Sequence, residues 1–386
     1  MLGIAIQMLL GDRIKYLSLV GGVAFATLLM MQQAGIFAGL TYQTGTPIRM
    51  AGEEFDLWVM DPEVEFSEES KPIADTVPDR VRGVEGVEWA VPMFKSRMLA
   101  KLPDGSQRAI SLVGLDDAAL VGGPRFMVEG ALEDLKSSDA VLLDAAQLGK
   151  NFMLTDVDGS SRPLRVGDRF AINDQSVLVA GLFAQERSFF WEPVVYTTYS
   201  RALTLAPAQR RMLPYVLVKV RAGEDPLDVA SRIEAATGLK ALTRDGFKLE
   251  TARYILLKTG ILINFSISVG LGLVIGVLVS AQTFYNFILD NLRHFAALKA
   301  IGVGNRALIG MVMGQVLLVG AVGFGIGAGL ACALGYVFAR VGPGAFLMVW
   351  QIPAFVAVSI LAVSIGAGAL SLRRVLTLEP AIVFRG

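Results

Sequence analysis

Two long stretches without a charged residue constrain this 386-residue chain more than any other feature. One lies between Lys258 and Asp290 and the other between Arg306 and Arg340, and neither contains Asp, Glu, Lys or Arg. Each exceeds the roughly 20 residues that a helix needs to cross the hydrocarbon core, where only a helix satisfies its own backbone hydrogen bonds. Both stretches therefore predict membrane-spanning helices.

The segment between these stretches, residues 290–306, is short and basic. Its basic residues are Arg293, Lys299 and Arg306. Basic residues in a short loop close to a span place that loop in the cytoplasm. Phe295, Leu298 and either Ile301 or Gly302 recur at three-to-four spacing, which predicts a short amphipathic helix that ends at Gly302 and Gly304.

The composition of the whole chain agrees with an integral membrane protein, because 53% of the residues are hydrophobic and the mean hydropathy is +0.54. Four spans are predicted, at residues 16–40, 260–287, 309–339 and 352–372. Residues 1–15 carry their charges after the apolar run, which indicates an interfacial helix on the cytoplasmic face instead of a signal peptide. Gly342, Pro343 and Gly344 separate the last two spans, and residues 373–386 form a cytoplasmic tail.

From residue 41 to residue 255 the composition is that of a soluble domain, with frequent Pro, Asp, Glu and Gly. Short strand-like runs such as FDLWVM and YVLVKV alternate with helical patterns, which predicts an α+β fold. The length allows two small lobes, one including Ser67–Val84 and the other residues 118–170. The predicted architecture is a membrane protein with four transmembrane α-helices and a large α+β extracytoplasmic domain inserted between helices 1 and 2. Both termini are then cytoplasmic.

The sequence offers little for catalysis. No G-x-x-x-x-G-K-[ST] motif occurs, so we do not expect the chain to hydrolyse ATP. One His (His294) and one Cys (Cys332) cannot form a His/Cys metal cluster or a Ser-His-Asp triad. The acidic run Glu63, Glu65, Glu68 and Glu69 lacks the spacing of a calcium loop and is interpreted as a solvated loop. We expect no enzyme activity and no cofactor in this chain.

Small residues recur inside two of the predicted spans. Those at four-residue spacing are Gly272, Gly276, Ser280, Gly323 and Gly327. Small residues at this spacing let two helices approach closely, either within one chain or across a dimer seam, and the pattern favours neither. No Asp, Glu, Lys or Arg lies in the core of any span, which argues against an ion-coupled transporter.

The order of these features resembles a known family. The segment NLRHFAALKAIGVGNR (residues 291–306) resembles the cytoplasmic segment of the permease subunits of MacB/FtsX-type ABC transporters, of the form R-x-x-x-x-x-L-K-A-I/M-G. Three motifs earlier in the chain, DLWVM, RVGDRF and LVKVRAGED, also occur in the order of the family. The resemblance is closest to the DevC-like branch and covers essentially the whole chain. Many relatives have an acidic residue after the Arg, where this chain has His294 and Phe295, so an ion pair at that point is not carried over.

The resemblance implies a permease subunit in the cell inner membrane that works as a homodimer with separate ATPase subunits, which bind ATP and Mg²⁺. It implies contact with membrane lipids, and in DevC-like systems with a periplasmic adaptor and an outer-membrane duct; nucleic acid is not a partner. The expected ATPase-coupling residues are Arg293, Leu298, Lys299, Ile301 and Gly302. Alternatives are direct extrusion of an apolar compound, lipid or lipoprotein without an adaptor, and a membrane sensor or structural protein. The sensor alternative lacks an output domain after Arg374.

Overall fold

The computed structural model describes residues 2–11, 13–155, 160–341 and 344–376. The chain divides into two compact units. The helical unit comprises Met1–Tyr42 and Gly260–Gly386, and the outer domain comprises Gln43–Thr259.

The α-helices are α1 (Leu2–Gly11), α2 (Arg13–Thr44), α3 (Thr46–Met50), α4 (Val77–Arg82), α5 (Leu148–Asn151), α6 (Tyr199–Leu205), α7 (Pro226–Thr237), α8 (Arg244–Lys258), α9 (Ile261–Asp290), α10 (Leu292–Ala300), α11 (Asn305–Val341) and α12 (Gln351–Leu376). The strands are β1 (Leu57–Met60), β2 (Val87–Lys101), β3 (Gln107–Leu115), β4 (Met127–Glu129), β5 (Ala140–Asp144), β6 (Met153–Thr155), β7 (Ser161–Pro163), β8 (Arg169–Ile172), β9 (Gln175–Phe183), β10 (Val194–Thr198), β11 (Tyr215–Val220) and β12 (Lys240–Thr243). Three short 3₁₀ turns lie at Leu132–Lys136, Ala145–Gln147 and Ala208–Arg210.

Four helices of the described chain, α2, α9, α11 and α12, are long and apolar enough to cross a membrane. Helices α2, α11 and α12 extend at both ends beyond the predicted spans 16–40, 309–339 and 352–372, because polar residues there continue the helical hydrogen bonding. Helix α9 extends beyond the predicted span 260–287 only at its C-terminal end. The predicted break at Gly342 and Pro343 and the tail beyond Leu376 fall outside the described residues.

A core of apolar side chains joins the helices of the helical unit. It includes Leu19, Val23, Met30, Phe284, Phe287, Leu308, Val316, Val356 and Ile360. The first helix, α1, was expected to rest on the membrane surface, yet its Leu9 is fully buried in this core and α1 packs against α11. Helix α1 is therefore an integral part of the helical unit, because burial of a leucine stabilises that contact by about 1.5–3 kcal/mol.

The outer domain is built on a mixed sheet in which one strand, β2, pairs with different strands along its length. Strand order is β12-β1-β11-β2-β3-β10-β5-β9-β4, with β8 pairing with both β2 and β9. The first half of β2 pairs with β11, up to Met93 opposite Tyr215, and the second half pairs with β3, starting with Phe94 opposite Gly114. The 15-residue strand β2 thus changes its partner between Met93 and Phe94.

Three apolar cores surround this sheet. One core includes Trp58, Met93, Val113, Leu217 and Phe247 and draws on both halves of the sheet. A second core lies with β3, β5 and β9, and a third lies with α4, α7 and β11. The two predicted lobes are therefore not separate, because β2 and the shared core unite them into one compact unit.

The acidic run is also organised differently from the expected solvated loop. Its members form salt bridges with lysines: Glu63 and Glu69 with Lys71, Glu65 with Lys258, and Glu68 with Lys95. The Lys71 hydrogen bond lowers the pKa of Glu63. The Lys95–Glu68 pair is mostly buried, with Nζ and Oε1 2.7 Å apart. The run therefore fastens residues 63–69 to the rest of the outer domain.

Candidate functional site

The predicted basic segment contains a short helix, α10, as expected. Helix α9 ends at Asp290, and the side chain of Asn291 donates a hydrogen bond to the carbonyl of Phe287 over 2.9 Å. Lys15 Nζ lies 2.9 Å from Asp290 Oδ2, with both side chains nearly half exposed. An ion pair this exposed stabilises the turn by less than about 1 kcal/mol.

The inward face of α10 is apolar. Phe295 and Ala296 are 1% and 0% exposed and belong to the core of the helical unit. Leu298 is half-buried and packs against the same core. Leu298, which the sequence predicts to dock onto a partner, therefore also holds α10 in its own unit. Its hydrophobic periodicity is that of an inward face.

The outward face of α10 presents a different set of residues. They are Arg293, His294, Ala297, Ala300 and Ile301. Ile301 is 78% exposed, which makes it the most exposed large apolar residue of this segment. Lys299, the other basic residue assigned to coupling, is half-buried. In the sequence, Ile301 lies between the basic residues Lys299 and Arg306. An isoleucine this exposed is suited to insertion into an apolar pocket of a partner protein.

The end of α10 is a Schellman motif centred on Gly302. The N–H of Val303 donates to the carbonyl of Leu298 over 3.0 Å, and the N–H of Gly302 donates to that of Lys299 over 3.1 Å. Gly302 has φ +91°, in the region that favours glycine. Gly304, also expected to end the helix, instead accepts the first hydrogen bonds of α11 through its carbonyl. Ending the helix here turns Ile301 outward.

The glycines of the predicted packing seam lie against the chain's own helix α2. A Cβ at Gly276 would lie 2.8 Å from Ala26 Cβ, and one at Gly323 would lie 2.7 Å from Val23 Cβ. Gly272 and Gly327 face α2 in the same way, while the side chain of Ser280 falls outside what the structure describes. These four glycines therefore serve packing within the chain.

Within the residues that the structure describes, no group of His, Cys, Asp and Glu is arranged to hold a metal ion. Sequence periodicity located helix α10, and the half-buried Leu298 stays a predicted coupling residue. The sequence signal that could have placed Ile301 at the end of the helix is Gly302, because a glycine commonly takes the left-handed conformation that ends a helix.

Two family models match this chain. The model described as MacB-like periplasmic core domain matches residues 17–236, which is more than half of the 386 residues. The model described as FtsX-like permease C-terminal matches residues 266–380. The second match includes the whole of α10.

Curated relatives match a smaller part. An uncharacterized ABC transporter permease of Mycobacterium tuberculosis, found in two strains, is 33% identical over 117 residues, which are 29% of this chain. The chain spans 31% of the length of those relatives.

Two solved structures resemble part of the chain. The extracellular domain of the noncanonic ABC-type transporter YknZ from Gram-positive bacteria covers 49% of this chain and 98% of its own, at 16% identity and a TM-score of 0.34. The periplasmic region of MacB from Actinobacillus actinomycetemcomitans covers 52% and 94%, at 13% identity and a TM-score of 0.36. Scores of this size do not establish a shared fold. Since the periplasmic-core match covers more than half of the chain and the permease match follows it, the protein belongs to the MacB/FtsX-type ABC transporter permeases.

Proposed function

We propose that this chain is the inner-membrane subunit of an ABC transporter and that it transmits the motion of a separate ATPase subunit to the outer domain. The observation that carries the proposal is the exposed face of α10, with Arg293 exposed near its start and Ile301 78% exposed at its end. This face lies between two helices, α9 and α11, that are apolar enough to cross the membrane. A short helix in such a position can receive a push from a partner and pass it to both helices.

The apolar contact at Ile301 should supply most of the affinity. Burying an isoleucine is worth roughly 1.5–3 kcal/mol, which is more than tenfold in affinity. An exposed basic contact such as that of Arg293 is usually worth less than about 1 kcal/mol. The basic residues then orient the docking, and Gly302 fixes the direction of Ile301. Lys299 contributes through its charge at the end of the same helix.

Coupling is tested in the full complex. The tagged chain is purified with its ATPase subunit, reconstituted into lipid vesicles, and assayed for ATP hydrolysis and for retention of the ATPase. We expect Ile301→Asp to release the ATPase subunit and Ile301→Leu to retain it. Leu227→Asp, which alters a leucine of the outer domain that is 63% exposed, is the matched control and should change neither measurement.

Leu298→Asp is not a clean probe, because it also removes a contact with the core of the helical unit. If Arg293→Ala abolishes coupling and Ile301→Asp leaves it intact, the basic segment rests on anionic lipid headgroups and the docking assignment is wrong. A tagged chain that never retains an ATPase subunit would favour the sensor or structural alternative.

The route of the substrate after the membrane step is a separate part of the proposal. We place it in a periplasmic adaptor that the outer domain engages and that leads to an outer-membrane duct, with two copies of the chain in the complex. Crosslinking from the outer domain tests the adaptor. A reconstituted system that is fully active without one would instead indicate direct extrusion of an apolar compound or lipid.

A further inference from the structure

Helix α3 is the meeting point of several loops of the outer domain. It starts at Thr46, two residues after the apolar helix α2 ends at Thr44. Arg244, the first residue of α8, donates hydrogen bonds to the carbonyls of Ile48 and Ala51 over 3.1 and 3.0 Å. Elements fastened to α3 are therefore close to the point where the chain leaves an apolar helix.

One of these elements is the loop of residues 184–193. The N–H of Phe189 donates to the carbonyl of Gln43 over 3.2 Å, and Thr46 Oγ1 donates to the carbonyl of Arg187 over 3.1 Å. A salt bridge of 3.0 Å joins Arg49 to Glu186. Three separate contacts thus hold this loop against the last turn of α2 and the helix α3 that follows it.

Trp191 stands at the tip of this loop in an unusual conformation. Its φ is +62°, a value that residues other than glycine rarely adopt, and 44% of the residue is exposed. The neighbouring Phe190 is stacked on Phe66, which in turn stacks on Tyr254 of α8 with ring centroids 4.7 Å apart. The loop therefore presents a tryptophan outward from a rigid aromatic base.

Other exposed apolar side chains lie on elements that contact the loop of residues 184–193 or helix α3. Phe126 is 58% exposed, and its carbonyl accepts a hydrogen bond of 2.8 Å from the N–H of Ala184. Leu249 and Leu257 are 71% and 59% exposed and lie eight residues apart on one side of α8, which ends immediately before the apolar helix α9. We call Phe126, Trp191, Leu249 and Leu257 the interfacial patch.

Basic side chains accompany the interfacial patch. The guanidinium of Arg125, which is paired with Glu53, lies 5.8 Å from the centroid of the Phe126 ring, and Lys258 Nζ, which is paired with Glu65, lies 5.6 Å from that of Tyr254. Arg253 is exposed between Leu249 and Leu257. Aromatic rings combined with basic groups are typical of the zone where a bilayer meets water, because their apolar parts enter the lipid while their polar ends stay solvated.

We propose that the interfacial patch rests in the headgroup layer of the outer leaflet and anchors the outer domain to the lipid surface. This rests on the proposed membrane location, since α2 and α9 define where the bilayer lies. The chain passes from α2 into α3 through one residue and from α8 into α9 through two. These short connections tie the elements that carry the patch to two apolar helices, and phospholipid phosphates complement the exposed Arg253.

The test uses the four tryptophans of the full chain in lipid nanodiscs made of plain phospholipid or of phospholipid brominated near the glycerol. The emission of each tryptophan is the difference between wild type and its Phe variant. We expect the Trp191 emission to be lower in brominated than in plain lipid. The emission of Trp89, half-buried in β2, should be the same in both.

Trp350, which is 76% exposed just before α12, reports on the helical unit separately. If bromine quenches Trp350 but not Trp191, the membrane location holds and the interfacial patch is overturned. If bromine quenches neither, the membrane location itself fails. A Trp191 that bromine spares and that aqueous iodide also spares is covered by protein, which equally overturns the lipid anchor.

Added tryptophans keep the test independent of Trp191. In a Trp191→Phe background, Phe126→Trp should introduce a component that brominated lipid quenches. Leu227→Trp, at a site of similar exposure on α7, should introduce a component that it does not quench. Equal quenching at both sites would contradict the proposal.

Discussion

Leu227 of the outer domain and Leu278 of the helical unit are both 63% exposed, yet their surroundings differ completely. Leu227 is an isolated apolar residue among charged neighbours on α7. Leu278 belongs to a helix whose large side chains are exposed along most of its length, including Ile263, Ile267, Leu271 and Val274. The same exposed fraction therefore indicates contact with water in one unit and contact with lipid in the other.

Each unit is also stabilised internally by a different kind of packing. Large side chains fill the cores on both faces of the sheet in the outer domain. In the helical unit, glycines of α9 and α11 let these helices approach α2 until backbone and side chain are in contact. Removing atoms should harm the first unit most, whereas adding atoms should harm the second.

The largest effect is expected from emptying the shared core of the outer domain. Leu217 is fully buried there, so Leu217→Ala should lower the free energy of unfolding by about 2–5 kcal/mol. Leu227→Ala, at an exposed site of the same domain, should change it by less than about 0.5 kcal/mol. Thermal unfolding of the full chain in detergent, followed by tryptophan emission, measures both. Equal losses would mean that the core assignment is wrong.

A charge at the two equally exposed leucines tests the solvent that each one meets. Leu278→Arg places a guanidinium near the middle of α9 and should oppose membrane insertion by about 2.5–3.5 kcal/mol. Leu227→Arg should leave insertion unchanged, because water solvates the new charge. The share of protein that resists carbonate extraction from membranes is the measurement. Normal insertion of Leu278→Arg would break the comparison.

A single methyl group distinguishes packing glycines from free ones. Gly323→Ala brings a Cβ within 2.7 Å of Val23 and should destabilise the helical unit by about 1–3 kcal/mol. Gly325→Ala, two residues along the same helix, meets nothing within 4 Å and should be neutral or slightly stabilising. Melting temperatures in detergent compare the two variants. A stable Gly323→Ala variant would show that α11 and α2 can move apart freely.

The smallest effect concerns a carboxyl group buried in the outer domain. Asp144 is 4% exposed, and burial raises its pKa to about 6, although the N–H of Ala146 donates to it over 3.0 Å. Because the folded pKa lies above the unfolded value, the folded state binds the proton more tightly. The stability that this protonation provides is lost as pH rises from about 4 to about 6.

Asp144→Asn keeps the hydrogen-bond acceptor and removes the charge. We expect it to raise stability at pH 7 by on the order of 1–2 kcal/mol, since one pKa unit corresponds to about 1.4 kcal/mol and local relaxation offsets part of the shift. The gain should disappear below about pH 4. Melting curves at several pH values check this, and a gain that is independent of pH would assign the effect to packing instead.

The sequence was a good guide where a single strong physical constraint acted. Charge-free stretches located α9 and α11, because lipid admits few alternatives to an apolar helix. It was a poor guide where the answer depended on a distant neighbour. Spacing showed that Gly323 could pack closely, but not that Val23 would be its partner. In the same way, an apolar stripe on α10 did not reveal that Leu298 faces inward until the turn at Gly302 was known.

The change of partner in β2 has a consequence for how the outer domain assembles as the chain is synthesised. The second half of β2 pairs with β3, which follows it directly, so this hairpin can form as soon as it emerges. The first half must wait for β11, and β1 must wait for both β11 and β12, with Leu57 opposite Thr243. Closing such long loops is slow. Until residue 243 has been synthesised, Val59 and Ala90 therefore remain uncovered and open to chaperones and proteases.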